Sequence, residues 1–417
     1  MNTPLHDFNT IHSRMDCTTP GHTTARFRNF NVASAFQPIF SLSHRSPVGY
    51  EALCRASAED GTPVSPLALF GQVKDESDNV QLDRLCRAVH VKNFSAFNDR
   101  SWLFLNVNPL VTVLGKSYGS FFQQMLEHNN IPASQVVIEI LEKSIYDESI
   151  LSAAVNYYKN LGCLVAIDDF GASHSNFDRI WNIQPDIVKF DRSIVVQAES
   201  NRVVRKALPN MVSLIQELGC IALMEGVETE KQALIAMDSN VDLVQGYYFG
   251  YPRDHLVDAH DQDSTLAQLC DKHTEFSASA RTRYKERMDA PLAEFKSVLQ
   301  SLKSGVLEYE RVCSRLLTLP NVMRMYFLNE AGYQIGKNIV HTQKPETKDP
   351  RYLPLIEATE ANWSRRYYFR QAMLNPEETQ ISRPYRSITG KSQCVTLSAL
   401  IDTPSGKLVA CLDLDWT

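Results

Sequence analysis

Leu164-Val165-Ala166-Ile167-Asp168-Asp169 is a short apolar run that stops on two carboxylates. Four other runs share the design: Val48-Gly49-Tyr50-Glu51, Leu103-Phe104-Leu105-Asn106, Val136-Val137-Ile138-Glu139 and Asp186-Ile187-Val188-Lys189. A sixth, Ile221-Ala222-Leu223-Met224-Glu225, completes the series. Apolar runs of this length read as buried strands. Amphipathic segments of helical length, such as 79–97, 144–161 and 202–218, lie between them. This alternation, from about residue 33 to 255, predicts an α/β architecture with parallel strands. Six polar endings in order place one site at the carboxyl ends of the strands, as in a β/α barrel. The competing fold is an open doubly wound sheet, which usually carries a Gly-rich phosphate loop after an early strand. The sequence has no such loop. Polar ends spread over six strands also favour a closed ring, on which all the tips converge.

The chain has 417 residues, enough for a barrel and a smaller module. Its 44% hydrophobic and 22% charged residues are those of a soluble globular protein. A net charge of -6 argues against a polymeric nucleic-acid partner, which would need a basic stripe. A small anion neutralised by metal ions stays compatible with it. Nine cysteines without a Cys-x-x-Cys pair are expected to be reduced thiols. The opening residues carry no basic start followed by an apolar stretch, and no run approaches the ~18 apolar residues of a membrane span. A cytoplasmic protein is expected. Residues 1–32 are polar and aperiodic and predict a disordered or loosely docked arm. His12, Cys17 and His22 within it fit no common zinc spacing.

Residues 255–290 read as a polar linker, and Asp289-Ala290-Pro291 as a helix start. Leu292, Phe295, Leu299, Leu302, Val306, Tyr309, Cys313 and Leu316 then form a heptad-like stripe. Such a helix packs on its own domain or pairs with a second subunit, and a homodimer is expected. After Pro320, strand-like runs separated by turns predict a small α+β domain with an antiparallel sheet. The division is therefore arm 1–32, barrel 33–258, linker and helix 259–319, and tail domain 320–417.

Glu51, Asn106, Glu139, Asp168, Asp169 and Glu225 would bring five carboxylates and an amide together. Oxygen ligands of this kind suit hard divalent cations such as Mg²⁺ or Mn²⁺. Without cations some of the acids would have to stay protonated. Two cations resolve the crowding, and two-metal sites are a common answer for phosphoester cleavage. Asp168 and Asp169 are adjacent, so their side chains would diverge unless the chain bends there. Lys189, the lone cation ending a strand, could orient a water or stabilise charge on a phosphate oxygen. Taken singly, each acid could be a helix cap, and the reading rests on the set.

Further matches identify a family. Glu51-Ala52-Leu53 with Arg55, Asn106, Glu139-x-x-Glu142, Asp168-Asp169-Phe170-Gly171, Lys189-x-Asp191, Glu225-Gly226-Val227-Glu228 and Gln245-Gly246-Tyr247-Tyr248-Phe249 follow in order. Together they resemble the EAL-domain phosphodiesterases of bacterial cyclic di-GMP signalling, over about residues 33–255. The resemblance implies a modified TIM barrel that hydrolyses cyclic di-GMP to linear pGpG with two divalent cations. It implies catalytic roles for Glu51, Lys189 and Glu225. It makes Glu51, Asn106, Glu139 and Asp168 ligands of one metal and Asp169 and Glu225 ligands of the second, with Asp168 bridging. It places Gln37, Arg55, Asp191, Glu228 and Gln245 at the substrate and gives Glu142 a loop-fixing role. Three stretches depart from the family pattern. Cys54-Arg55-Ala56 stands where Leu-Arg-Trp is common, Asn108 replaces a common Ser, and Gly171-Ala172-Ser173-His174-Ser175-Asn176 lacks a second Gly. The alternatives are a catalytically silent cyclic di-GMP receptor and a phosphodiesterase for another cyclic dinucleotide.

Residues 320–417 resemble the PAS-like Cache sensor fold through Tyr326-Phe327-Leu328-Asn329-Glu330-Ala331-Gly332, Trp363 with Arg366-Tyr367-Tyr368-Phe369, Tyr385, and the closing Gly406–Asp413 run. Arg366, Tyr368, Tyr385 and Asp413 are expected to hold a small zwitterion or carboxylate through charge-assisted bonds. In the other reading these aromatics are core and the domain only dimerises.

Overall fold

A computed structural model describes residues 7–416 apart from 18, 109–110, 113–119, 142–147, 173–176, 258–262, 307, 342–357 and 388–392. The chain divides into two compact units, Met1–Glu275 and Phe276–Thr417. In the first, eight strands close a barrel: β1 Phe30–Ser41, β2 Ser46–Ala58, β3 Trp102–Asn106, β4 Val136–Leu141, β5 Leu164–Phe170, β6 Ile187–Phe190, β7 Ile221–Met224 and β8 Leu243–Gln245. From β2 to β8 each strand pairs in parallel with the next. β1 is inverted and pairs antiparallel with both β2 and β8. Only Leu42–Arg45 separates β1 from β2. That is a hairpin turn, far too short for the crossover a parallel neighbour needs.

Alternation along the strands builds two apolar layers. Ile39, Phe104, Val137, Ala166, Ile187, Leu223 and Leu243 face the barrel interior and form one cluster. Their sequence neighbours, such as Leu103, Leu105, Val165 and Ile167, point outward into the larger core shared with the helices. At the interior position of β2 stands Gly49, because a Cβ there would lie 2.7 Å from the Phe104 ring.

Residues 7–32 are not a loose arm. Asp7 caps the helix Phe8–His12 by accepting from the Thr10 N–H at 2.7 Å, and Phe8 and Ile11 are buried. Thr24–Phe27 pairs antiparallel with the start of β1. Asn93 fastens the segment by accepting from the Thr23 N–H and donating to the Thr23 carbonyl. Too few apolar residues are involved to make a period, but Phe8, Ile11, Ala25, Phe27 and Val32 are buried and Met15 and Phe30 pack against them half-buried.

The segment expected to be a polar linker is helical where it is described. The helix Asp263–Lys303 runs through residues 263–290 and past Pro291, and Gly305 follows its end at φ 88°. The expected stripe is divided between this helix and a second, Tyr309–Leu317. Leu266 and Leu269 belong to the core of the first unit. Met288, Phe295, Leu299, Leu302, Cys313 and Leu316 are buried in the core of the second. Most of the stripe is thus taken up by its own domain. Among the described residues no helix is long and apolar enough to cross a membrane.

The second unit is an antiparallel sheet of β9 Val322–Leu328, β10 Gln334–Ile339, β11 Gln393–Thr403 and β12 Gly406–Asp415, ordered β10-β9-β12-β11. Two short strands, Gln380–Ile381 and Tyr385–Arg386, pair with β11. Met325 and Phe327 pack on the face covered by the C-terminal part of Asp263–Lys303 and by Tyr309–Leu317. Tyr326 and Leu328 alternate onto the other face, against the helix Tyr367–Leu374.

Candidate metal centre

Two residues further along the same side of each strand stands a polar group, so the interior apolar layer is the floor of the site. Phe104 is followed by Asn106, Val137 by Glu139, Ala166 by Asp168, Ile187 by Lys189, Leu223 by Glu225 and Leu243 by Gln245. On β2, Glu51 follows Gly49. On the inverted β1, Gln37 precedes Ile39 and pairs opposite Glu51. All eight strands contribute, but not all by their tips. Glu51 sits in mid-strand, since β2 continues to Ala58 to pair with β1.

Lys189 is the hub. It is 1% exposed, and its Nζ contacts Glu139 Oε1, Glu225 Oε1 at 2.5 Å and Asp168 Oδ1 at 3.1 Å. Glu51 is oriented by two amides, accepting from Asn106 Nδ2 at 2.9 Å and Gln245 Nε2 at 2.8 Å. Asp169 adopts φ 60°, and the β5–β6 register slips between Ile167 and Phe170. This bulge is the bend that two adjacent carboxylates need to serve one site. The carboxylates form two trios whose oxygens lie within 4.8 Å of one another: Glu51, Glu139 and Glu225, and Asp168, Asp169 and Glu225. Glu225 is common to both trios.

Five carboxylates share one ammonium, and the protonation pattern follows from that excess. Burial opposes ionisation of Glu51, yet Lys189 and the two amides hold it below its ordinary pKa. Burial, with Glu51, Asp168 and Glu225 as neighbours, pushes Glu139 well above the carboxylate range. Burial also pushes Glu225 up to about 8, against the pull of Lys189. Burial disfavours charge on Lys189 too, but Asp168, Glu139 and Glu225 keep its pKa well above the ordinary value. The donor set fits hard divalent cations. Glu139 Oε2 and Gln245 Oε1 are buried without a hydrogen-bond partner among the described residues, so the site holds oxygens that its own donors leave unsatisfied.

Around this layer the expected substrate residues divide. Arg55 lies four residues beyond Glu51 on the same side of β2 and is exposed. Gln37 donates through Nε2 to the Gly250 carbonyl at 3.2 Å, tying β1 to the segment after β8. Asp191 caps the helix Arg192–Ser200, accepting from the Ser193 N–H at 3.0 Å. Glu228 accepts from Arg192 Nη2 at 2.7 Å, a partner the sequence did not suggest. Both acids therefore have structural engagements. Gly246 was legible only as part of a motif, and its role is spatial: a Cβ there would fall 2.1 Å from the Val227 carbonyl oxygen. Glu142 and the loop residues 173–176 lie outside the described residues.

In the second unit Arg366, Tyr368, Tyr385 and Asp413 do line one cavity, and Asp413 is already engaged by the protein's own donors. Asp413 is 1% exposed and accepts from Arg324 Nε at 2.7 Å and Thr396 Oγ1 at 2.6 Å. Arg324 interrupts the apolar run of β9, a signal that a buried acid had to lie opposite. Tyr368 is 4% exposed and belongs to the core, as the aromatic-core reading expected of it. Arg366 lies 5.9 Å from the ring centres of both Trp363 and Tyr385, with no acidic partner among the described residues.

Fold and site together define a class: β/α barrels with an inverted first strand and an acidic, lysine-centred interior layer. The chain belongs to the EAL domain family, which it matches over residues 23–252. YkuI of Bacillus subtilis (strain 168), an uncharacterized EAL-domain containing protein, is 25% identical over 351 residues, 81% of this chain and 83% of YkuI. The crystal structure of YkuI with c-di-GMP and calcium superposes with a TM-score of 0.76 at 23% identity, covering 93% of this chain and 96% of that one. A standalone EAL protein of Vibrio cholerae O395, in its c-di-GMP-bound form, gives a TM-score of 0.52 at 26% identity, covering 57% of this chain and 99% of that one. The probable cyclic di-GMP phosphodiesterase PdeB of Escherichia coli (strain K12) is 24% identical over 225 residues. That match takes in 53% of this chain and 42% of PdeB, so the chain spans less than half of that relative.

Proposed function

We propose that the barrel hydrolyses cyclic di-GMP to linear pGpG with two divalent cations, Mg²⁺ or Mn²⁺. One observation carries the reading: the interior layer is complete, with Glu51, Asn106, Glu139, Asp168, Asp169, Lys189, Glu225 and Gln245 all present around one buried ammonium. Glu51, Asn106 and Glu139 would hold one cation and Asp168 and Asp169 the other, with Glu225 serving both. Bound cations supply Lewis acidity and make a water acidic enough to ionise near neutral pH.

The chain's own groups do the rest. Asn106 and Gln245 fix the Glu51 carboxylate, so it need not reorganise during the reaction. Lys189 donates toward the attacking water and the phosphate oxygen on which charge develops. Arg55, exposed above Glu51, meets the substrate phosphate. Water adds to phosphorus, the ribose 3′-oxygen leaves with a proton, and a 5′-phosphate remains. Incubating the protein with cyclic di-GMP and Mn²⁺ and following pGpG by chromatography tests this. Turnover is expected, and Glu51→Ala should abolish it. Tight binding without turnover would instead make the protein a silent receptor.

We read the second unit as a Cache-like sensor that regulates the barrel. Arg366 supports this reading over a purely structural role, because it is a partly buried cation with no acidic partner among the described residues. With Asp413 already paired, the group available to a ligand is a cation, which suits a carboxylate better than a zwitterion.

A further inference from the structure

Cys54 and Cys86 are far apart in sequence, but their sulfurs stand 3.9 Å apart. Cys54 is on β2, three residues past Glu51, and alternation turns it to the outer face with Ala52 and Ala56. Cys86 is on the helix Glu76–Ser95, which packs over that face. The next residue, Arg55, turns to the inner side. A bond between the sulfurs would therefore act on the strand that carries both Glu51 and Arg55. The other exposed or half-exposed thiols, Cys17 and Cys270, have no cysteine partner within bonding reach among the described residues.

We infer that Cys54 and Cys86 form a peroxide-sensitive dithiol, whose closure to a disulfide weakens binding at the barrel mouth through Arg55. The weakening rests on the substrate reading above, but the bond itself does not. The two thiols have unequal roles. Cys54 is half-exposed, and the S–H of Cys86 and the nearby Arg55 guanidinium lower its pKa, so it is the more readily ionised. Cys86 is buried, its thiol is pushed well above the ordinary value, and it waits as the resolving partner.

The Cys54 thiolate attacks one oxygen of hydrogen peroxide and breaks the O–O bond. This gives a sulfenic acid and, with a proton from solvent, one water. The Cys86 sulfur then attacks the sulfenyl sulfur and displaces its hydroxyl, which leaves as a second water with the Cys86 proton. Two thiols lose two electrons, and one peroxide is reduced to two waters. Closing the pair from 3.9 Å to the ~2.05 Å of an S–S bond draws β2 toward the helix. Arg55, next along the backbone, moves with it.

The test uses the full chain. After brief treatment with hydrogen peroxide, peptide mapping without reductant should find Cys54 linked to Cys86 with the loss of two hydrogens. KM for cyclic di-GMP should rise roughly tenfold, the weight of one charge-assisted contact. The change in kcat should be much smaller, and dithiothreitol should reverse both changes. Cys54→Ser and Cys86→Ala should keep the reduced-state KM after peroxide. Cys54→Ser alone suffices if the buried Cys86 variant folds poorly. The absence of a 54–86 linkage overturns the inference, as does a linkage that leaves KM unchanged. If the reduced protein never hydrolyses cyclic di-GMP, the proposed function fails on its own. The dissociation constant of cyclic di-GMP by calorimetry then decides the inference, upheld by weakening on oxidation and overturned by no change.

Discussion

Lys189 is the counter-charge for the whole acidic layer, so its removal should be felt before any substrate is added. Replacing it by Met leaves Glu139, Asp168 and Glu225 without their common partner. Losing one side of a buried ion cluster costs roughly 3–5 kcal/mol, and urea unfolding of the metal-free Lys189→Met protein should register that loss. Turnover should fall by at least ~100-fold. Glu225 gives a pH signature. In the metal-free fold its carboxyl titrates at about 8, above its ordinary value of 4.5, so unfolding releases a proton between those limits. Stability of the metal-free protein should therefore decline as pH rises through that window, by up to about 1.4 kcal/mol per pH unit for each such proton, and level off above it. Binding of Mn²⁺ expels the same proton, so its affinity should rise over the same range. A urea midpoint that climbs with pH would contradict this assignment. The carboxylates were legible because each ends or interrupts an apolar run. Gln245 was not, since its strand is three residues long and shows no period of its own. Only the motif around it marked it.

At the scale of elements, two devices hold the layer in place: the bulge at Asp169 and the close approach at Gly246. Val227 donates to the Gln245 carbonyl, and Tyr248 donates to the Val227 carbonyl, so the two chains lock face to face at Gly246. Gly246→Ala should separate them. A loss of at least about 2 kcal/mol is expected by thermal unfolding, together with loss of turnover as Gln245 releases Glu51. Unchanged activity would show that Gln245 is dispensable for orienting Glu51. The strands were readable from their apolar runs. The helix Asp263–Lys303 was not, because much of its surface over 263–290 is exposed and polar, and Pro291 resembled a beginning rather than an interior position. The helix Phe8–His12 was hidden for the opposite reason, being too short to show a period.

For the whole molecule, the two separate hydrophobic cores predict two calorimetric responses. Mn²⁺ near 100 times its dissociation constant should stabilise the barrel's transition by about 2.7 kcal/mol and leave that of the antiparallel-sheet unit unchanged. A single transition that shifts as one would mean that the units unfold together. The barrel's inverted first strand also sets the timing of its assembly. β1 is synthesised early, but its partner β8 follows roughly 200 residues later, a delay on the order of 10–40 s on the ribosome. Throughout that interval the nascent chain carries an unfinished edge, the kind of surface through which chains aggregate. The N-terminal strand Thr24–Phe27 is already available and occupies the Phe30–Val32 part of that edge. The rest of that edge waits: Ile39–Ser41 for β8, the longest-range strand pairing in the barrel, and Phe36 for its bridge to Arg253. What reads in the sequence as a loose leader is thus placed to act as a built-in chaperone for the strand behind it.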